Sequence, residues 1–318
     1  MQAAARAGMN GLEWLGRRAS LMLLVGVFSG LALPGLAAVL RPALLIAVAC
    51  LLTMSMVRVE PASLRRALQA PFVSALALGW LLLGAPLLVA WLCLDTGLPP
   101  TIAQSVVLYA AAPPLVAATA YALMLGLDAA FALYLTILGT FIVPLTLPPL
   151  ASALLGLALP LTPLDMTVRL AVMVACCAGA AWAIRRFAGA ERLARRGRAL
   201  DGVVVLLMWL FAVAIMDGVT ARIVNDPGWL VTCALAACIL NFGLCAAGAI
   251  GAGLLGVRRA LTVGLLSGNR NLGLVVGAMA ADAPAEVVAF VAVAQIPIYA
   301  LPSLLRPITR RLLPTPAH

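Results

Sequence analysis

Gly268-Asn269-Arg270-Asn271-Leu272-Gly273 interrupts an otherwise apolar run from Leu261 to Ala281. A permanently charged guanidinium and two amides therefore sit where lipid or packed hydrocarbon is expected. A charged side chain at the bilayer centre costs roughly 2.5–3.5 kcal/mol on insertion scales, so such residues normally face a cavity or a partner. The stretch reads as a binding site, against the plainer alternative of a structural ion pair.

The surroundings of this patch set the class of protein. Of 318 residues, 64% are hydrophobic and 10% charged, which is too apolar for a soluble domain of this length. The mean hydropathy is +1.12. The apolar runs have the length of membrane-crossing helices, about 20 residues, rather than the ~10 of a barrel strand. Ten spans are predicted, near 20–38, 41–57, 72–94, 102–125, 129–153, 166–184, 200–217, 228–254, 259–281 and 284–305. The expected fold is an all-α polytopic membrane protein with short loops.

Charge then orients the spans. The net charge of +10 comes from 21 basic residues, all of them Arg. With a cytoplasmic N-terminus, only Arg41, Arg169 and Arg222 fall outside and Arg270 falls within a span; the remaining Arg lie inside. The positive-inside rule thus places both termini in the cytoplasm, with a bacterial inner membrane as the expected location. The same asymmetry accounts for the basic charge without a nucleic-acid partner. The expected partners are the lipid bilayer and a small-molecule substrate.

Enzymatic chemistry finds little support. The single histidine is His318, and the seven cysteines, Cys50, Cys93, Cys176, Cys177, Cys233, Cys238 and Cys245, fall within apolar spans without paired metal-ligand spacing. No metal site, cofactor or catalytic residue is expected. Arg17-Arg18 followed by Leu21–Ala38, ending in Leu36-Ala37-Ala38, has the outline of a cleaved signal. It is read as a retained span, because retention keeps an even count and the inside bias. Residues 1–19, with Leu12, Trp14 and Leu15 among polar residues, are expected on the cytoplasmic membrane surface.

The spans divide into two halves that rhyme. The fourth contains Pro113-Pro114 and precedes a fifth with Pro144, Pro148 and Pro149; the ninth contains Asn269–Asn271 and precedes a tenth with Pro297 and Pro302. Five spans per half is an odd number, so the halves would insert with opposite orientation as an inverted repeat. The first repeat is expected over 20–153 and the second over 154–305, followed by a cytoplasmic tail, 306–318. Pro113 and Pro114 remove two backbone donors, and Gly268 and Gly273 bracket the polar patch, so both helices are predicted to break there. Interrupted helices at matching positions in two halves point to a transporter's substrate site.

On these residues the chain resembles the bile acid:sodium symporter family, part of a superfamily that includes arsenite and auxin-type carriers. The resemblance spans nearly the whole length. It is carried by Thr53-Met54-Ser55-Met56 to Pro61, Ala70-Pro71, Ala112-Pro113, Asn241-Phe242-Gly243 and Asn271-Leu272-Gly273-Leu274. It implies ten helices in a five-plus-five inverted repeat, divided into a panel and a core, with the fourth and ninth helices broken and crossing at the substrate and sodium sites. It further implies transport of amphipathic organic anions with sodium by alternating access.

The departures fall on the sodium ligands. The family's third-span glutamine, fifth-span serine and ninth-span glutamate fall on Leu81, Ala132 and Leu266, and its ninth-span glutamine on Arg270. Asn271 and Thr136 are retained, and Thr119 keeps one hydroxyl of the fourth span. A hard cation needs several oxygens, and Arg270 offers five donors and no acceptor. At ~5 Å and an effective dielectric of ~20, its charge would cost a nearby cation roughly 3 kcal/mol. The sodium sites are expected to be largely lost, with a weak remnant at Thr119 and Thr136.

The expected function is therefore secondary transport of an organic anion, with Arg270 presenting positive charge to the substrate. Candidate binding residues are Arg270, Asn269, Asn271, Ser267, Thr119 and Asn241. Asp217 and Asp128 are candidate charge partners of Arg270, or proton carriers. The alternatives are a sodium- or proton-coupled symporter of the same fold, or a membrane sensor or scaffold that does not transport.

Overall fold

Proline and glycine punctuate the helices. Pro34, Pro71, Pro100, Pro163 and Pro227 each open a helix, where the missing N–H is one of those without an intrahelical partner anyway. Gly126, Gly189, Gly218 and Gly256 take left-handed φ values of 69°, 79°, 80° and 84° between helices, a conformation that costs glycine least. The computed structural model describes residues 14, 19–58, 71–93, 97–155, 161–279 and 282–313.

The described residues form helices and no strand. In chain order these are α1 (Ala19–Ala32), α2 (Pro34–Leu40), α3 (Leu44–Val57), α4 (Pro71–Gly79), α5 (Ala85–Cys93), α6 (Pro100–Ala111), α7 (Ala117–Met124), α8 (Ala129–Leu155), α9 (Pro163–Ala188), α10 (Ala190–Arg195), α11 (Gly197–Ala214), α12 (Val219–Asn225), α13 (Pro227–Gly251), α14 (Val257–Gly268), α15 (Leu272–Met279) and α16 (Ala285–Leu312). A π turn, Trp80–Gly84, joins α4 to α5.

Among the described residues, seven helical stretches are long and apolar enough to cross a membrane: Pro34–Val57, Pro71–Cys93, Ala129–Leu155, Pro163–Ala188, Ala199–Asn225, Pro227–Gly251 and Ala285–Leu312. Apolar side chains also cover their outward faces. Phe72, Leu76 and Trp91 on the second stretch, and Val231, Leu235 and Ile239 on α13, are exposed, as suits a lipid solvent. These features mark an integral membrane protein.

Of the ten expected spans, the three without a continuous counterpart are the first, fourth and ninth. The fourth and ninth are each split into two short helices, α6 with α7 and α14 with α15. The boundary near 39–40 is corrected: Leu33 leaves helical geometry at φ −125° and ψ 70°, and Pro34 starts the new helix. Arg41, expected as the first residue of the second span, forms part of a 3-10 turn inside Pro34–Val57. The last helix also runs on to Leu312, because Leu305 and Thr309, one turn apart, remain buried while Arg306 and Arg310 point outward. Most of the expected N-terminal surface segment, Pro61, Ala70 and His318 lie outside the described residues.

The described residues fall into two compact units, one within Met1–Arg58 and Met173–Pro227, the other within Val59–Val172 and Gly228–His318. In the first, α11 packs on α1 and α3. A Cβ at Gly30 would lie 2.7 Å from Cβ of Met216, so a small residue is what admits this approach. In the second, α5, α8 and α16 pack on the broken helices. The described buried polar side chains, from Ser74 to Thr309 and including Arg270, all belong to this second unit.

Candidate functional site at the bridged helix breaks

The first break follows from its prolines. Ala112 adopts φ −62° and ψ 148°, the extended conformation forced on a residue that precedes proline. The second break has Asn269 extended at φ −93° and ψ 99°. Two extended segments inside a helical protein carry unpaired backbone groups, and here they pair with each other. Leu115 N–H donates to Asn269 O at 2.9 Å and Asn271 N–H to Pro113 O at 2.8 Å. The result is an isolated antiparallel bridge between Pro114 and Arg270. The breaks therefore meet.

Arg270 is 1% exposed, and its guanidinium is held by three main-chain carbonyls. Nε donates to Ser267 O at 2.8 Å, and Nη1 donates to Leu81 O at 2.8 Å and Ala112 O at 3.0 Å. Each carbonyl lacks its regular helical donor for a separate reason. Ser267 O would accept from Asn271 N–H, which is committed to Pro113 O. Ala112 O lies in the first break. Leu81 lies in the π turn, where Ala85 N–H reaches back five residues to Trp80 O. In that register the donor for Leu81 O would come from Pro86, which has none.

An unpaired carbonyl in the membrane interior costs several kcal/mol, and one side chain satisfies three of them. The second terminal nitrogen, Nη2, has no hydrogen-bond partner in the structure. With Nε and Nη1 committed, a two-nitrogen fork onto a carboxylate is closed in this conformation. What remains is a single nitrogen with two hydrogens.

Successive side chains of an extended segment leave on opposite sides. Asn269 accordingly turns toward Asn241 of α13, whose Nδ2 lies 3.5 Å from Asn269 Oδ1 and donates to Gly268 O at 2.8 Å. Tyr109 of α6 also donates to Gly268 O and accepts from Asn241 Nδ2 at 2.9 Å. A Cβ at Gly268 would lie 2.6 Å from Asn241 O, so glycine permits this contact. Asn241 Oδ1 and Asn269 Nδ2 lack partners.

The other expected site residues divide between framework and open groups. Ser267 donates to Val263 O at 2.7 Å and accepts from Trp80 Nε1 at 2.9 Å. Asn271 Oδ1 accepts from Leu274 N–H at 3.2 Å and so caps α15. Gly273, expected at the break, is a buried residue inside α15, because Asn269 and Asn271 make the break without it. The hydroxyls of Thr119 and Thr136 are buried without partners. Leu81, Ala132 and Leu266 are each 0% exposed and share one apolar cluster, so these positions supply hydrocarbon rather than oxygen ligands.

The two expected charge partners of Arg270 are engaged elsewhere. Asp217 pairs with Arg41 at 2.8 Å and Asp128 with Arg259 at 3.3 Å. The partners of Arg270 are carbonyls, which a search for carboxylates misses. Tyr109, Trp80 and Pro86 were also missed. Tyr109, a phenol four residues before Pro113 in an apolar run, was the available signal, since a buried hydroxyl needs a partner.

Among the described residues there is no group of three or more His, Cys, Asp or Glu able to hold a metal ion. No protein-family model matches the chain, and no curated protein matches it in sequence.

Proposed function

We propose that the protein is a secondary transporter of an organic anion, working by alternating access without a sodium requirement. The observation that carries this reading is the unpartnered Nη2 of Arg270, buried beside two bridged helix breaks. Broken helices are where transporters place substrate sites, and a buried donor on a cation favours an anionic oxygen. On this reading, substrate binding engages Nη2 in the described conformation, and a two-nitrogen grip requires one carbonyl to be released.

The ten-crossing inverted repeat implied by the resemblance to bile acid:sodium symporters is part of the same proposal. Four ion pairs support it: Arg41–Asp217, Arg58–Asp201, Arg169–Asp282 and Arg259–Asp128. Each joins two residues that a ten-crossing path with a cytoplasmic N-terminus puts on the same membrane face. The compact units support it too, since each takes crossings from both halves of the chain. The apolar cluster at Leu81, Ala132 and Leu266 favours loss of the sodium sites.

Uptake or counterflow in proteoliposomes, with amphipathic carboxylates and sulfonates as probes, tests the proposal. The expected result is uptake at equal rates in sodium and potassium media. Full sodium dependence would overturn the coupling claim, stimulation by a proton gradient would favour a proton symporter, and no anion uptake would leave the scaffold reading.

A further inference from the structure

The carbonyl oxygens of Leu81, Ala112 and Ser267 converge on one side chain although they belong to three separate helical stretches. None can be supplied by its own helix, for the reasons given above. Three carbonyl dipoles aimed at one point make a locally negative seat, the same chemistry by which rings of backbone carbonyls hold permeating cations. Nothing in the seat is acidic: its attraction for charge comes from main-chain dipoles alone.

We infer that these three carbonyls form a cation seat that the chain fills with its own guanidinium, and that without this side chain the seat binds a free guanidinium ion in its place. Three oxygens are few for a hard metal cation, which typically takes about six or more oxygen ligands. They suit a planar ion whose N–H groups are directed. The seat is thus specific for shape as well as for charge, and urea, of similar shape but neutral, is the discriminating control. The inference stands apart from transport, because its readout is stability rather than uptake.

The experiment is thermal unfolding of purified Arg270→Ala protein in detergent, titrated to 20 mM with guanidinium chloride, sodium chloride, potassium chloride or urea at constant ionic strength. Arg270→Ala is expected to unfold at lower temperature than the native protein. Guanidinium is expected to raise its midpoint saturably, by about 2–4 °C for millimolar binding, and to leave the native protein unchanged. Urea, sodium and potassium are expected to do neither.

Equal responses of native and variant protein, or an equal effect of urea, would overturn the inference. A response to sodium with none to guanidinium would overturn the shape argument. If Arg270→Ala yields no folded protein, the monodisperse fraction of the same variant solubilised in 20 mM guanidinium chloride, sodium chloride or urea decides, because the vacated seat is then offered its ion before the fold is lost. A guanidinium response there supports the inference, and its absence overturns it.

Discussion

Pro114 and Arg270 face each other across an antiparallel bridge, although Pro114 has no N–H and Arg270 lends the bridge no side-chain group. The bonds come from their neighbours Leu115 and Asn271. Arg270 is thereby free to turn its guanidinium onto three other carbonyls. An Arg270→Lys variant is expected to keep the bridge and to lose much of this seating, because one ammonium is a point where the guanidinium is a planar fork. Anion uptake should fall by tenfold or more, about 1.4 kcal/mol or more. Native uptake rates in a folded Arg270→Lys protein would show that charge alone suffices.

Tyr109→Phe removes the hydroxyl between Asn241 and Gly268 O while keeping the ring. Gly268 O retains Asn241 Nδ2 as a donor, so the loss should be limited to about 0.5–1.5 kcal/mol, the net value of one hydrogen bond. Chemical denaturation of native and variant protein measures it. A loss well beyond this range would mean that the phenol holds the break together alone.

Gly248 sets how closely α13 approaches α14. A Cβ added there would stand 2.2 Å from Ser267 Oγ and 2.9 Å from Ser267 Cβ. Gly248→Ala is therefore expected to sharply reduce the yield of folded protein, and Ser267→Gly in the same chain to restore part of it. Two changes in contact that compensate in this way are non-additive. Recovery is read as the monodisperse fraction on size exclusion; additive losses would refute the contact.

Asp128 performs two tasks that substitution can separate. Its Oδ1 accepts from Phe131 N–H at 3.0 Å, capping α8, while Oδ2 pairs with Arg259. The pair is partly exposed, at 43% for Arg259 and 26% for Asp128, and such pairs contribute about 0–1 kcal/mol. The cap is worth about 1 kcal/mol. Asp128→Asn should thus melt close to the native protein and Asp128→Ala lower. Equal losses in both would assign the effect to the ion pair instead.

Both helix breaks were legible because their causes are local: Pro113-Pro114 cannot continue a helix, and Asn269-Arg270-Asn271 is polar among apolar neighbours. The partners of Arg270 were not legible, since a carbonyl oxygen has no letter of its own. Whether Leu81 O is free depends on the π register of Trp80–Gly84 together with Pro86, and only three-dimensional structure shows that turn. The aspartates mislead for a related reason: the sequence offers Asp128 and Asp217 as carboxylates for Arg270, while their choice of Arg259 and Arg41 depends on packing. The boundary at Leu33 was hidden by an unbroken apolar run, although Pro34 marked it.

Trp80 has a consequence for observation. Its indole N–H donates to Ser267, two residues before the break at Asn269, so a displacement of the break that disturbs this bond is expected to change its emission. The chain has six tryptophans, and subtracting the spectrum of Trp80→Phe isolates this one. The break thus carries its own optical reporter, a means to follow its displacement in real time with no label attached.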